Sequence, residues 1–286
     1  MLQKIKNATA ILALSAISSL SVSAQTLKTP APSPLQTLKQ AFALSDITLE
    51  YSRPSAKGRV VYGDVVPFGK IWRTGANAAT KVTFGEDVKV EGTKIAAGTY
   101  AVYSIPNKDK WEIMLYKDLK LGGNVSEYKT ENEVLRVTVK PTALTEKVET
   151  FTMGIADITA TSSNIELTWE KTRVAIKVVA DIDSTIMKNI DATVNTDNRP
   201  YYSAASYYYE NNKDMKVALG WVNKALEQNP KAYWVMALKA KIEIKLNDKT
   251  AATATAEKVI AMAKEGKNED YVKIGEKLLA DAKLLK

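Results

Sequence analysis

The sequence predicts two architectures in series: an antiparallel β-sandwich or jelly-roll-like domain over residues 35–180, then an α-helical array over residues 199–286. Three observations carry this expectation. From about Asp46 to Val179, short runs of alternating apolar and polar residues are separated by turn residues, the pattern of many half-buried strands. Beyond Val179 the apolar period changes from two to 3.6, that of amphipathic helices. Within the first region one stretch, Tyr51–Thr80, crowds glycines, prolines and arginines together without periodicity, which marks a shaped loop laid over a rigid scaffold.

The elements follow in order. Lys4 and Lys6 precede an apolar run, Ala8–Leu20, closed by Val22-Ser23-Ala24. That order predicts a Sec signal peptide over residues 1–24, cleaved after Ala24, and hence an exported protein, periplasmic or extracellular. The run is shorter than the ~20 apolar residues of a membrane-spanning helix, and without cysteine no lipoprotein anchor can form. Residues 25–34, QTLKTPAPSP, read as a flexible leader. Strand candidates rich in β-branched and aromatic residues lie at Ile47–Tyr51, Arg59–Tyr62, Lys81–Phe84 and Asp87–Val90, with a hairpin turn in Val90–Ile95. Thr99–Ile105, Trp111–Tyr116, Glu133–Val139, Val148–Ile158, Ile165–Glu170 and Arg173–Val179 complete the set.

Residues 181–198 are expected to be a linker with a short helix, capped by Asp183 or Ser184 and carrying Ile186, Ile190 and Val194 on one stripe. Helices are then expected at 200–211, 214–228, 231–246, 249–264 and 268–284, the first opened by Pro200, whose missing N–H costs nothing there. A period near 34 places Ala252 beneath Ala218, Val259 beneath Ala225 and Ala240 beneath Ser206. Arg199–Pro230 resembles the tetratricopeptide consensus, with Tyr202 and Tyr209 at its large aromatic positions and Ala218 and Ala225 where helices approach closely.

The chain contains no cysteine and no histidine. Disulfides, thiol nucleophiles, Ser-His-Asp triads and imidazole metal ligands are therefore closed to it, and zinc is disfavoured. Carboxylate-pair chemistry, a Ser-Lys dyad, an all-oxygen cation site, or no chemistry remain. No cofactor, metal ligand or catalytic residue is singled out by spacing. Glu86, Asp87, Glu131, Glu133 and Asp64 select no pair across a cleft; Ser126-Glu127-Tyr128-Lys129 has dyad spacing but lies in a loop; Asp191…Asp197 lacks the glycine and closing glutamate of a calcium loop. The formal charge of +8 is spread as single lysines on helices, which argues against nucleic acid as a partner.

Two groups of residues stand out as candidate sites. In the irregular loop, Trp72, Arg73, Thr74 and Asn77, with Arg53, Arg59, Tyr62 and Asp64, offer forked donors and an indole face to an anion or a sugar. The same residues could instead staple the loop: Arg73 pairing with Asp64, Trp72 filling the core, Asn77 bonding backbone. In the helices, Tyr201, Tyr208, Trp221, Tyr233 and Trp234 exceed what two helix pairs need for packing. They read either as anchors for a protein partner or as contacts to the β-domain.

The first domain resembles Domain of Unknown Function 2911, found mainly in exported bacterial proteins. The resemblance rests on Ser52–Arg59 (SRPSAKGR), Val60–Asn77 (VVYGDVVPFGKIWRTGAN), Lys94–Pro106, Trp111–Asp118 and Val134–Pro141, and spans about Pro34–Val179. It departs at Leu121–Tyr128, where relatives commonly have a shorter aromatic-glycine turn. The resemblance implies tetratricopeptide repeats behind the β-domain and assigns no activity. Together these readings predict an exported, non-enzymatic binding or assembly protein, not membrane-spanning, with a protein partner on the repeats and a possible glycan or small anionic ligand on the β-domain loop. The alternatives are a carboxylate-dependent glycan hydrolase using Arg73, and a pure glycan-binding module presenting Trp72.

Overall fold

The structure, a computed structural model, describes residues 29–194 and 200–286. The expected signal peptide (1–24), the start of the leader (25–28) and the end of the linker (195–198) lie outside the described residues. The chain divides into two compact units, one ending at Asp181 and the other beginning at Ile182.

The first unit consists of two antiparallel sheets. Strands β1 (Leu35–Phe42), β2 (Ser45–Ser52), β3 (Thr80–Phe84), β6 (Gly98–Ile105), β7 (Trp111–Tyr116) and β8 (Glu133–Val139) form a six-stranded sheet in the order β1-β2-β3-β6-β7-β8. Strands β4 (Val88–Val90), β5 (Thr93–Ile95), β9 (Thr142–Ala156) and β10 (Ser162–Ala180) form a second, ordered β5-β4-β10-β9. Alternation puts Ile47, Leu49, Tyr51, Val82 and Phe84 inward from the first sheet and Phe151, Met153, Ile165, Leu167 and Trp169 from the second, all buried. A further apolar layer covers the other face of the large sheet: Tyr103, Met114 and Tyr116 lie under Leu121, Val125 and Tyr128 of the long β7–β8 connection. The hairpin expected near Val90 is a two-residue loop, Glu91-Gly92, with φ of 46° and 85°; positive φ at both positions is the type I′ geometry that matches strand twist.

Three expectations are corrected. Arg59–Tyr62 is not a strand: positive φ at Lys57, Gly58 and Gly63 keeps the chain turning there. Leu35–Phe42 is a strand although its polar, edge-strand composition hides it, with only Phe42 buried. Ile165–Glu170 and Arg173–Val179 are one continuous strand; the polar break between them is a bulge at Glu170 (φ 51°), with register shifts on either side while pairing to β9 continues.

The second unit contains α1 (Asp183–Val194), α2 (Tyr201–Glu210), α3 (Met215–Gln228), α4 (Tyr233–Lys245), α5 (Lys249–Glu265) and α6 (Glu269–Lys283). Three of the four hairpin turns between α2 and α6 use the same grammar, the exception being α3–α4, where Ala232 opens the helix without a side-chain cap. A left-handed residue closes the preceding helix (Asn212, Asn247, Lys267), and a side-chain acceptor opens the next (Asp214, Asp248, Asn268). Helix α4 is buried on two sides. Val235, Leu238 and Ile242 join α2 and α3, while Ala237 and Ala240 join α5 and α6.

At Gly275 of α6, an added Cβ would stand 2.7 Å from Ile260 Cγ1 and 3.1 Å from the Ile260 amide nitrogen of α5. Gly275→Val should therefore overpack this interface and lower stability by about 1–3 kcal/mol. Gly220→Ala in α3, where nothing lies within 4 Å, should raise stability by up to about 1 kcal/mol. Thermal midpoints of the far-ultraviolet helix signal measure both.

Candidate functional site

The loop between β2 and β3 is held from end to end. Arg53 Nε donates to the Phe151 carbonyl (3.2 Å), Nη1 to Gln36 Oε1 (2.8 Å) and Nη2 to Thr152 Oγ1 (2.7 Å). Beyond it, Ala56 N donates to Glu149 O, and Phe151 N to Pro54 O, so residues 54–56 run against β9. Arg59 folds back on its own turn, with Nε to Ala56 O and Nη2 to Ser55 O, both 2.9 Å.

Trp72 occupies a gap in the sheet. Strand β3 begins at Thr80, opposite Val102. Two residues further along β6, Ser104 instead exchanges both backbone hydrogen bonds with Trp72, at 2.8 and 2.9 Å. The half-buried indole then stacks on Trp169 (centroids 6.1 Å, 24°) and meets Trp111, Phe151 and Tyr62 edge-on, while its Nε1 donates to Gly75 O at 2.9 Å. Thr74, fully buried at φ 53°, shares a hydrogen bond with Ser104 Oγ, and Thr80 Oγ1 donates to its carbonyl. A Cβ on Gly75 would press to 3.2 Å on Ser52 O and Thr80 Oγ1. Asn77, in the left-handed region, donates from Nδ2 to Ser33 O and Ser52 Oγ.

Arg53, Arg59, Trp72, Thr74 and Asn77 are engaged in bonds of the fold, and the eight do not converge on one concavity. Asp64 is exposed and forms no ion pair with Arg73 among the described residues. Arg73 lies beneath the β7–β8 connection, close against Gly123, and its Nε is buried without a partner. Above it Tyr103, whose hydroxyl donates to Gly122 O, has its phenol pushed up to about 12, chiefly by burial, with Arg73 pulling weakly the other way.

Tyr62 alone of the eight lines a cleft of about 340 Å³ at one end of the β-domain, beside Phe68, Asn107, Lys108, Trp111 and Lys171. Several acidic groups elsewhere in this unit sit in ion pairs: Glu112 and Glu133 on Arg136, Glu166 and Asp157 on Arg173, Glu170 on Lys147. Arg136 holds the Glu133 carboxyl below the usual range; burial and Glu133 together push the Tyr128 phenol up.

In the helical unit, Tyr201 is 5% exposed and belongs to the core. Tyr208 and Trp221, both partly buried, pack edge-on to each other at 4.7 Å against the same core. Tyr233 packs on Tyr271 (5.0 Å) and accepts from Asn268 Nδ2. Trp234 is 39% exposed. Tyr202, placed by the consensus at a packing position, is 38% exposed, because one residue's slip on a helix turns a side chain by about 100°. Tyr202, Trp234, Lys241, Tyr271 and Ile274 border a groove across α2, α4 and α6. Through Tyr209, Lys241 and Ile274 it continues into a larger recess of about 320 Å³ lined also by Lys245, Lys277 and Asp281. Lys245 is engaged, donating to Tyr209 O and Asn212 Oδ1. The spacing Tyr202, Ser206, Tyr209 was the available signal for this second stripe.

With this geometry established, the first unit defines an antiparallel β-domain in front of a helical region. The family described as Protein of unknown function (DUF2911) matches residues 33–178, and the chain belongs to it. No curated protein matches the sequence. Among the described residues no helix is long and apolar enough to cross a membrane, and no cluster of three or more acidic, histidine or cysteine side chains suits a metal ion.

Trp72→Ala should lower the stability of the β-domain by about 3–5 kcal/mol, because it opens a cavity among four aromatic rings. Denaturant unfolding followed by the fluorescence of the remaining tryptophans checks this; an unchanged midpoint would return Trp72 to a ligand role.

Proposed function

We propose that the protein is an exported, non-enzymatic binding or assembly protein whose tetratricopeptide-like helices hold an extended, acidic segment of a protein partner. The observation that carries this reading is the alignment of Tyr202, Trp234 and Ile274, each more than a third exposed, along one groove built from three successive first helices of the hairpins. Exposed apolar residues gathered in a concavity mark interaction sites, whereas singly scattered ones do not. Stacked helical hairpins present such faces to extended peptides, and tryptophan and tyrosine serve as their anchors.

The platform is rigid. Trp234 meets Tyr233 edge-on at 5.3 Å, and Tyr233 is locked by Tyr271 and Asn268. Lys241, Lys245 and Lys277 stand along the groove and its recess against two carboxylates, Glu210 and Asp281, an excess of positive charge that favours carboxylates on the segment. Export is supported by Lys4, Lys6, the apolar run Ala8–Leu20 and the small residues Val22-Ser23-Ala24 that close it. Glu112, Glu133 and Glu166 of the β-domain are engaged by arginines, which favours holding a partner over breaking bonds with these carboxylates.

Peptides selected from a random display library on the full mature chain should be rich in acidic and bulky apolar residues. Tyr202→Ala with Trp234→Ala should weaken them about tenfold or more, since anchor residues dominate such interfaces. Selected peptides that bind the doubly substituted chain undiminished would end the groove reading. Mass spectrometry of the protein from envelope or medium should find Gln25 as its first residue; an unprocessed chain confined to the cytoplasm would end the export reading.

A further inference from the structure

We propose that the cleft bordered by Tyr62, Phe68, Asn107, Lys108, Trp111 and Lys171 is a binding site for a small organic carboxylate on a single six-membered ring. The inference is independent of the helical groove. The cleft holds about 340 Å³, near the lower bound for small-molecule pockets and suited to one ring.

Its floor is built, not incidental. Trp111 is 1% exposed, and the Tyr62 ring meets Trp111, Trp169 and Trp72 edge-on at 5.1, 6.3 and 6.4 Å. With its ring packed on three indoles, the Tyr62 hydroxyl makes no hydrogen bond among the described residues and is left as a donor for a ligand. Burial, and secondarily the Glu170 carboxylate, push this phenol above its ordinary range, so at neutral pH it keeps its proton and acts as a donor.

The rim has one sign. Lys108, on the β6–β7 turn, and Lys171, beside the β10 bulge, form no ion pair among the described residues, and no carboxylate lines the cleft. The nearby Glu170 is matched by Lys147 at 3.3 Å. Two consecutive register shifts around Glu170 place Lys171 and Thr172 at the cleft, the re-aiming that bulges perform beside binding sites. Lys108, Lys171 and Tyr62, three residues that carry donors, thus border a space otherwise walled by Phe68, Trp111 and Pro141. A carboxylate accepts from the donors while a ring fills the apolar remainder. The Asn107 amide and the Thr142 and Thr172 hydroxyls suit a sugar acid; the aromatic walls suit a benzoate.

The test titrates the full chain by calorimetry at low ionic strength with glucuronate, galacturonate, benzoate, phenylacetate, glucose and inorganic sulfate. At least one carboxylate should bind saturably with one site, and glucose should not. The uronates and the aromatic acids separate the two sources of the same chemistry. Lys108→Met with Lys171→Met, and separately Tyr62→Phe, should each weaken the binding carboxylate about tenfold, the loss expected for a hydrogen bond to a charged group. Tyr62→Phe removes no bond of the fold and should leave the thermal midpoint unchanged. Failure of all four carboxylates to bind would overturn the proposal. So would sulfate binding as tightly as the carboxylates, or binding indifferent to all three substitutions. None of these results touches the peptide groove, which has its own readout.

Discussion

A sheet with a missing neighbour must fill the vacancy or leave buried backbone groups unpaired, and in this protein that constraint falls on Ser104. Because β3 starts only at Thr80, the strand position beside Ser104 is taken by Trp72 through two backbone hydrogen bonds. Once the backbone is fixed there, the indole has to lie between the two sheets. It becomes the centre of a cluster with Tyr62, Trp111, Phe151 and Trp169, in which each pair adds about 0.5–1.5 kcal/mol beyond burial. The tight, strained turn through Thr74 and Gly75 brings the chain from that vacancy back into β3. Arg53 and Asn77 fasten the flanks. The cleft beside Tyr62 is a by-product of the same cluster, since Trp111 is both its floor and a member of the core.

The helical unit is governed by its turns. Left-handed Asn212 and Asn247 end their helices without a glycine, and Asp214 and Asp248 restart the chain within two residues. Short, sharply defined turns force neighbouring helices antiparallel, so α2, α4 and α6 share one side of the stack and α4 is buried on both flanks. One charged side chain is caught in this packing. Glu243 is 3% exposed with one oxygen unpartnered, and burial pushes its carboxyl up against the weaker pull of Thr255 and Lys239. Its protonated form is favoured in the folded chain, so this residue's contribution to stability grows as pH falls toward the ordinary carboxylate range.

Where local pattern and turn chemistry agreed, the elements were legible: the Glu91-Gly92 hairpin, β6, β7 and all five long helices follow from alternation, period and caps. Legibility failed where a residue's fate is set by distant parts of the chain. Arg53 looks like an anion donor until Gln36, Phe151 and Thr152 arrive from 17, 98 and 99 positions away. Leu35–Phe42 is too polar to read as a strand because only one of its edges is paired. Glu170 reads as a break since a bulge and a turn share the same residue types. The cleft is invisible in the sequence for the same reason: its lysines sit on a turn and beside a distant bulge and form no motif. Tyr202 was misjudged by a single step of register.

The run Trp72-Arg73-Thr74-Gly75-Ala76-Asn77, the most recognisable signature of this chain, is thus a joint in the scaffold. Kinship traced through it passes on carpentry and says little about cargo. Lys108, on the β6–β7 turn, and Lys171, beside the β10 bulge, lie outside that joint, so either side chain can change without touching the bonds that hold the frame.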